Sequence, residues 1–101
     1  MEAQRASGGR IEAVTDREIL SAYQLLASQV GVFVEPASAA SVAGVLKLGR
    51  RGYFRRGSCI VCVLTGHGLK DPDRAIRTVR PPKTVAANLR AVVRALAPVL
   101  Y

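Results

Sequence analysis

The first clear pattern along the chain is a stripe of apolar residues at helical spacing. Its members, three or four positions apart, are Ile19, Tyr23, Leu26 and Val30. Because a helical turn takes about 3.6 residues, side chains at this spacing share one face. Thr15 and Glu18 stand just before the stripe in the S/T-x-x-E pattern of a capping box, whose side chains bond free amides of the first turn. We predict a helix over residues 16–29 that ends at Gly31.

Two short apolar runs lack helical spacing and are typical of strands. Residues 32–34 combine two valines with a phenylalanine, which favours a short buried strand. Residues 59–64 are apolar throughout and lie between turn residues, the pattern of a strand that is buried on both faces. We therefore predict two strands, the second followed by a loop over residues 65–73.

Two further helices are predicted from their first residues. Pro36 suits the first helical position, because an amide at that position has no intrahelical partner to lose. The helix that it starts, through "ASAASVAGVLKLGRR", is rich in small side chains that permit close packing against a sheet or a flat ligand. Thr84 is the predicted N-cap of a last helix. The apolar face of this last helix comprises Val85, Leu89, Val92, Val93 and Leu96.

The order of helix, strand, helix, strand, loop and helix predicts an α/β fold with parallel strands and flanking helices. A strand buried on both faces needs a neighbour at each edge, and this chain supplies at most one. We therefore expect residues 15–101 to be part of an incomplete three-layer domain, completed by a missing part of the protein or by another chain. Residues 1–14 are polar and contain glycine, and we predict a linker or a frayed end there.

The chain is basic, with 15 lysines and arginines against 7 acidic residues and a formal net charge of +8. This charge leaves a small nucleic-acid-binding or interaction protein open as an alternative. The dense cluster of arginines at residues 50–56 surrounds a Gly-Tyr-Phe turn, a pattern that favours a solvated loop. The sequence therefore argues against nucleic acid as a partner. The polar start is not a secretory signal, and Glu35 and Pro36 interrupt the longest apolar region, so we expect a cytoplasmic protein without a membrane span.

Cysteine and histidine do not form a recognisable catalytic or metal-binding pattern. Cys59 and Cys62 have C-x-x-C spacing, but residues three apart in a strand face opposite sides. His67 is the only histidine and has no nucleophile or acid at a catalytic spacing. We expect no metal site, no redox pair and no catalytic residue in this chain.

The end of the second predicted strand, within "VCVLTGHGLKDPD", is the position where a ligand is expected. Ligands of open α/β sheets bind beyond the carboxyl ends of the strands, and Thr65 is the residue that emerges there. Its hydroxyl can hydrogen-bond a planar heteroatom, and Gly66 and Gly68 leave the backbone open to approach. The segment lacks the Gly-Lys-Ser/Thr ending of a Walker-type phosphate loop.

Of three stretches, the last two closely resemble the C-terminal region of bacterial threonine synthases, which are fold-type-II pyridoxal phosphate enzymes, and the first resembles the segment just before it. The stretches are "SGGRIEAVTDREILSAY" (7–23), "GVFVEPASAASVAGVLK" (31–47) and "VCVLTGHGLKDPD" (61–73). They occur in the order and at the spacing found in the family, and the resemblance extends over nearly the whole chain. A looser form of "EPASA" is shared with threonine dehydratases, which leaves a fragment of a dehydratase-like enzyme as an alternative.

The resemblance implies a domain, a reaction and a site. Residues 15–101 correspond to the C-terminal part of the cofactor-binding large domain, and the parent enzyme, expected to be a homodimer, converts O-phosphohomoserine and water into threonine and phosphate. By the family's motif, Thr65 approaches the pyridine nitrogen of pyridoxal phosphate. Glu35, Ser38 and Gly66 are implied to line the cofactor's side of the domain.

Two parts of the family's pattern are absent from this sequence. The family's Schiff-base lysine lies in a Ser-Phe-Lys-Asp type motif, and its phosphate loop is rich in glycine and asparagine. The lysines here, none in that context, are Lys47, Lys70 and Lys83. We therefore expect the isolated chain to be inactive and not to bind the cofactor stably.

Overall fold

The protein is described here by a computed structural model that covers residues 2–100, with side chains up to Pro98. Its regular structure is helical. In chain order the α-helices are α1 (Glu2–Ser7), α2 (Asp16–Leu25), α3 (Pro36–Arg50), α4 (Pro72–Thr78) and α5 (Leu89–Leu100). A π-helical turn, Leu26–Val30, extends α2, and a 3-10 turn, Gly68–Lys70, precedes α4.

Helix α2 begins and ends as the sequence predicts. The Thr15 hydroxyl accepts the amide proton of Glu18 at 3.3 Å, and the Glu18 carboxylate accepts the amide proton of Thr15 at 2.7 Å. These two bonds confirm the capping box. At the other end, Gly31 has a φ of 74°, in the left-handed region that glycine adopts without strain, and its amide bonds the carbonyl of Leu26. The predicted helix is confirmed, with its last turn more loosely wound.

The core lies where α2 packs against α3, which begins at Pro36 as predicted. The buried apolar residues are Ala22, Tyr23, Leu26, Val34, Ala39 and Ala43. Half of this cluster is alanine, so Tyr23 supplies its only ring. A core of this size contributes little hydrophobic free energy, since burial stabilises roughly in proportion to the apolar area removed from water.

The parallel strands predicted from the sequence are not formed by the residues that the structure describes, and this expectation has to be corrected. Residues 59–64 have no regular secondary structure, and the side chains of Val61 and Val63 are 84% and 69% exposed instead of buried. Residues 32–34 contribute a single bridge, from Val34 to His67, and it is antiparallel. The physical reason is a lack of neighbours, because residues 59–65 make no backbone–backbone hydrogen bond to any described residue.

The two C-terminal helices begin at caps that the sequence analysis did not identify. Asp71 accepts the amide proton of Arg74 at 3.1 Å and starts α4, whose first two residues fall in the loop predicted over residues 65–73. Asn88 accepts the amide proton of Ala91 at 2.9 Å and starts α5. The prediction of Thr84 as this cap is therefore wrong. Asp71 and Asn88 have the short polar side chains that suit an N-cap, and this region of the chain contains several such residues.

A network of ion pairs holds the segment before α2 against the far end of α3. The Glu12 carboxylate lies 2.9 Å from Arg10 Nε, 3.4 Å from Lys47 Nζ and 3.5 Å from Arg51 Nη1. The hydrogen bond to Lys47 and the nearby guanidinium groups lower the pKa of Glu12 from its ordinary value of 4.5.

Helix α1 lies in the region predicted as a linker or frayed end, and none of its residues is buried.

The chain is elongated, with extents of 63 × 30 × 19 Å and a radius of gyration of 18.5 Å. A compact domain of 100 residues has a radius of gyration of about 13 Å. Helix α5 accounts for part of the difference, because its Leu89 and Val93 are 79% and 56% exposed and it adds no residue to the core cluster. Within residues 2–100, no helix combines the length and the apolar character that crossing a membrane requires.

Candidate functional site

The residues that the sequence analysis assigned to a ligand site meet at the start of α3. Residues 33–35 and 66–68 run antiparallel beside one another. The Glu35 amide donates to the Gly66 carbonyl at 3.0 Å, and the Gly68 amide donates to the Phe33 carbonyl at 3.2 Å. This pairing brings Thr65 to the start of α3, where it contacts Ser38 across 27 positions of sequence. The structure therefore groups all four predicted site residues.

Ser38 is the buried centre of this group, with a side chain that is only 2% exposed. Its hydroxyl accepts the Gly66 amide proton at 2.7 Å. The same oxygen lies 3.2 Å from the Thr65 hydroxyl and 3.3 Å from the Gly66 carbonyl oxygen. Thr65 itself is exposed. An exposed threonine thus contacts a buried serine through their hydroxyls.

The two glycines of the loop are required by contacts within the chain. A Cβ at Gly66 would collide with the side-chain carboxylate of Glu35, and a Cβ at Gly68 would collide with the ring of Phe33. Both glycines are buried. The sequence analysis had assigned them the role of leaving space for a ligand, but in this chain that space is filled by Glu35 and Phe33.

Phe33 is the residue of the site that the sequence analysis missed. Its ring lies edge-on to Tyr23 at 6.3 Å and edge-on to His67 at 5.6 Å, measured between ring centroids. Phe33 thus links the α2–α3 core to the loop that carries Thr65. The only signal in the sequence was an aromatic residue in a short apolar run, a pattern that indicates burial and not a position beside a site.

His67 and Lys70 complete the surroundings of the site. His67 Nδ1 accepts the amide proton of Leu69 at 3.2 Å, which places the proton of a neutral imidazole on Nε2. Lys70 Nζ lies 3.8 Å from the Glu35 carboxylate, and its side chain is 64% exposed. At this distance and exposure the ion pair contributes little to stability.

The remaining chemical candidates lie away from the site. Cys59 and Cys62 are free thiols, the first exposed and the second half-buried. In the arginine cluster at residues 50–56, Arg51 pairs with Glu12 and all four arginines are exposed. Neither group contacts Thr65 or Ser38 in the hydrogen bonds of the described residues.

Comparison with known proteins decides the family. The family model described as "Pyridoxal-phosphate dependent enzyme" matches residues 1–66, about two thirds of the chain. This chain belongs to the pyridoxal-phosphate-dependent enzymes. The match extends to Gly66 and so includes Glu35, Ser38 and Thr65. The fold family expected from the sequence is confirmed, and pyridoxal phosphate is the cofactor that defines this family.

Within the pyridoxal-phosphate-dependent enzymes, the chain is similar to threonine synthases. It is 53% identical to the threonine synthase of Mycobacterium leprae over 95% of its own length, and 50% identical to that of Methanocaldococcus jannaschii over the same share. The threonine synthase of Synechocystis is 57% identical over 74% of the chain. These identities confirm the resemblance predicted from the sequence. The chain spans only 27%, 24% and 19% of these three relatives.

The hydroxyl of Thr65 is chemically compatible with the ring nitrogen of pyridoxal phosphate. The pyridine ring of the cofactor carries one nitrogen, which exchanges a single hydrogen bond, and Thr65 presents a single hydroxyl that both donates and accepts. The neighbouring Glu35 carboxylate is 21% exposed and belongs to the same surface. The chain thus has a polar group that matches the ring nitrogen.

Proposed function

We propose that this chain forms one wall of the cofactor pocket of a threonine synthase, with Thr65 as the partner of the pyridine nitrogen. The observation that carries the proposal is the position of Thr65, an exposed residue whose hydroxyl is held 3.2 Å from the hydroxyl of the buried Ser38 at the start of α3. The identity of about half of all residues to several threonine synthases supports the choice of enzyme.

Pyridoxal phosphate supplies an electron sink that stabilises negative charge on the substrate's carbon atoms. In this proposal Thr65 binds the ring nitrogen through a neutral hydroxyl, which does not force that nitrogen to stay protonated as a carboxylate does. Glu35 belongs to the same wall, and Gly66 supports it from below the surface, where the Glu35 carboxylate occupies the space beside it. The proposed reaction is the conversion of O-phosphohomoserine and water into threonine and phosphate.

The proposal includes a partner, namely the remainder of the enzyme. Residues 59–65 offer backbone amides and carbonyls without backbone partners in the described chain, next to the exposed side chains of Val61 and Val63. Such a segment is suited to pair with strands from elsewhere. We infer that the rest of a threonine synthase, in the same polypeptide or in another, provides those strands together with the cofactor-binding lysine and the phosphate loop. The complete enzyme is proposed to be a homodimer.

The test is a hybrid enzyme in which this chain replaces the matching quarter of the Mycobacterium leprae threonine synthase. We expect the hybrid enzyme to bind pyridoxal phosphate, seen as absorbance of the bound cofactor, and to release phosphate from O-phosphohomoserine. The isolated chain is expected to do neither above a control that contains free cofactor. Thr65→Val removes the hydroxyl at constant shape, and Thr65→Ser retains it.

The outcomes separate the parts of the proposal. A loss of activity in Thr65→Val that is restored in Thr65→Ser supports a hydroxyl contact with the cofactor. A hybrid enzyme that folds but binds no cofactor contradicts the assignment of this wall. Phosphate release by the isolated chain contradicts the need for a partner.

A further inference from the structure

Ser38 lies behind Thr65 and has no surface of its own to offer a ligand. Its side chain is 2% exposed, so a cofactor beside the chain reaches Thr65 and not Ser38. The sequence resemblance implied that Ser38 lines the cofactor's side of the domain. In the structure its polar contacts run to the loop, through the Gly66 amide at 2.7 Å and the Thr65 hydroxyl at 3.2 Å.

The protons of this group can be counted. A serine hydroxyl has one proton to donate and accepts through its lone pairs. Ser38 Oγ already accepts the Gly66 amide proton, so its own proton goes either to Thr65 Oγ1 at 3.2 Å or to the Gly66 carbonyl at 3.3 Å. That carbonyl already accepts the Glu35 amide proton at 3.0 Å.

The direction of the Ser38 proton decides what Thr65 offers to a ligand. If Ser38 donates to Thr65 Oγ1, the Thr65 proton is free to point outward and donate. If Ser38 donates to the Gly66 carbonyl, Thr65 donates inward to Ser38 and presents only lone pairs outward. The first arrangement gives one donor to each outer acceptor, since Thr65 Oγ1 accepts from Ser38 and the Gly66 carbonyl accepts from Glu35. In the second, the Gly66 carbonyl accepts both protons and Thr65 Oγ1 accepts none from the group.

We propose that Ser38 is a positioning residue that donates its proton to Thr65 and thereby directs the Thr65 hydroxyl proton outward, toward a neutral aromatic nitrogen. The inference rests on the proposed function, in which Thr65 faces the pyridine nitrogen of pyridoxal phosphate. Donation by Ser38 also polarises the Thr65 hydroxyl and strengthens its outward bond, as in other chains of hydrogen bonds.

The experiment is nuclear magnetic resonance of the hybrid enzyme loaded with pyridoxal phosphate that carries ¹⁵N in the pyridine ring. The ¹⁵N chemical shift reports whether the nitrogen is protonated and whether it accepts a hydrogen bond. We expect the unsubstituted hybrid enzyme to show a neutral nitrogen that accepts a hydrogen bond at neutral pH. Thr65→Val removes that bond, and Ser38→Ala is expected to move the signal part of the way in the same direction.

Ser41→Ala is the matched control. Ser41 lies one helical turn beyond Ser38 and bonds only the carbonyls of Ser38 and Val63, at 3.0 and 3.4 Å. Its removal is expected to leave the ¹⁵N signal in place, although it removes a hydroxyl from the same face of α3. A purely structural role for Ser38, through its bond to the Gly66 amide, predicts that Ser38→Ala moves the ¹⁵N signal as far as Thr65→Val does, because the released loop carries Thr65 away from the nitrogen. A positioning role predicts only part of that movement.

The outcomes distinguish this inference from the proposed function. A signal that moves in Thr65→Val but not in Ser38→Ala overturns the role of Ser38 and leaves the proposed contact of Thr65 intact. A signal that moves in neither variant overturns both. A protonated ring nitrogen in the unsubstituted hybrid enzyme also overturns the inference, because Thr65 cannot then be the donor, and this result needs no variant that must fold.

Discussion

The hydroxyl of Ser38 accepts the amide proton of Gly66 at 2.7 Å, across 28 positions of sequence. This bond fastens the Thr65 loop to α3, and it is buried, so water cannot replace it. The local conformation of the candidate site therefore depends on a contact between distant parts of the chain. Its strength can be measured separately from any activity.

We predict that Ser38→Ala lowers the free energy of unfolding of the chain by about 1–3 kcal/mol, because it leaves the Gly66 amide buried without a partner. The measurement is the shift of the denaturant midpoint followed by circular dichroism. Ser28→Ala is the control, since that exposed hydroxyl bonds only the Gln24 carbonyl one turn earlier. Equal stability of the two variants would show that the loop is not fastened by Ser38.

Two glycine-to-alanine substitutions are predicted to act in opposite directions. Gly66→Ala introduces a Cβ into the position of the Glu35 carboxylate and is expected to destabilise the chain. Gly44→Ala places a methyl group in open space inside α3 and is expected to stabilise it by about 1 kcal/mol, the difference in helix propensity. Denaturant unfolding of both variants decides the matter, and a stabilising Gly66→Ala would contradict the packing described for the loop.

Helix α2 and the start of α3 were predictable because their signals are local. A capping box, a periodic apolar stripe and a proline at the first turn each act within a few residues, and Thr15 and Pro36 mark the observed starts. The role of Thr65 and Ser38 in a cofactor site stays a prediction, and the structure places their hydroxyls 3.2 Å apart. That prediction came from a resemblance to a family and not from the spacing of the two residues.

The strands predicted for residues 32–34 and 59–64 are not formed in the described chain, because a strand needs neighbours hydrogen-bonded through the backbone and residues 59–65 have none there. Residues 59–64 have the composition of a buried strand, and composition reflects the environment in which a sequence functions. In the described chain the environment is solvent, and the segment stays irregular with Val61 84% exposed. The prediction of the α5 N-cap was wrong for a local reason. Thr84 and Asn88 are both residue types that favour N-caps, and the sequence alone does not select between them.

The caps themselves give a prediction. Thr15→Ala is expected to reduce the free energy of unfolding by about 0.5–2 kcal/mol, because it removes the hydroxyl that bonds the Glu18 amide. Thr84→Ala is the matched control and is expected to have no measurable effect, since Asn88 caps α5. The change in unfolding free energy of each variant is obtained from its denaturant midpoint. A loss of α5 helicity in Thr84→Ala would restore the cap expected from the sequence.

The exposed apolar segment is predicted to cause self-association of the isolated chain. Val61→Lys combined with Val63→Lys places charges on a segment with free backbone groups, and lysine at such edges discourages pairing. We expect the double variant to sediment as a smaller species than the unsubstituted chain. Ile76→Lys is the control because Ile76 is 72% exposed but lies in α4. An equal effect of the control would point to general hydrophobicity and not to this segment.

The pH dependence of stability is predicted from two carboxylates. The hydrogen bond to Lys47 and the neighbouring guanidinium groups lower the pKa of Glu12, and the backbone amide and hydroxyl of Thr15 lower the pKa of Glu18, both from an ordinary value of 4.5. Near that pH the unfolded chain therefore binds more protons than the folded chain. Stability from these groups is fully present above pH 4.5 and is lost as the pH falls through the lowered values.

Denaturant midpoints measured at a series of pH values test this, with Glu12→Gln and Glu18→Gln each expected to flatten part of the acid slope. Salt separates the two contributions. The Glu12 ion pairs are partly exposed and weaken when the screening length falls to about 3 Å in molar salt, whereas the short-range capping bonds of Glu18 persist. The Glu18→Gln variant retains only the salt-sensitive Glu12 contribution, and the Glu12→Gln variant retains only the Glu18 contribution. High salt should therefore reduce the dependence of stability on acid pH more in Glu18→Gln than in Glu12→Gln. If stability still falls with acid pH in the variant that combines Glu12→Gln and Glu18→Gln, other carboxylates are responsible for that dependence.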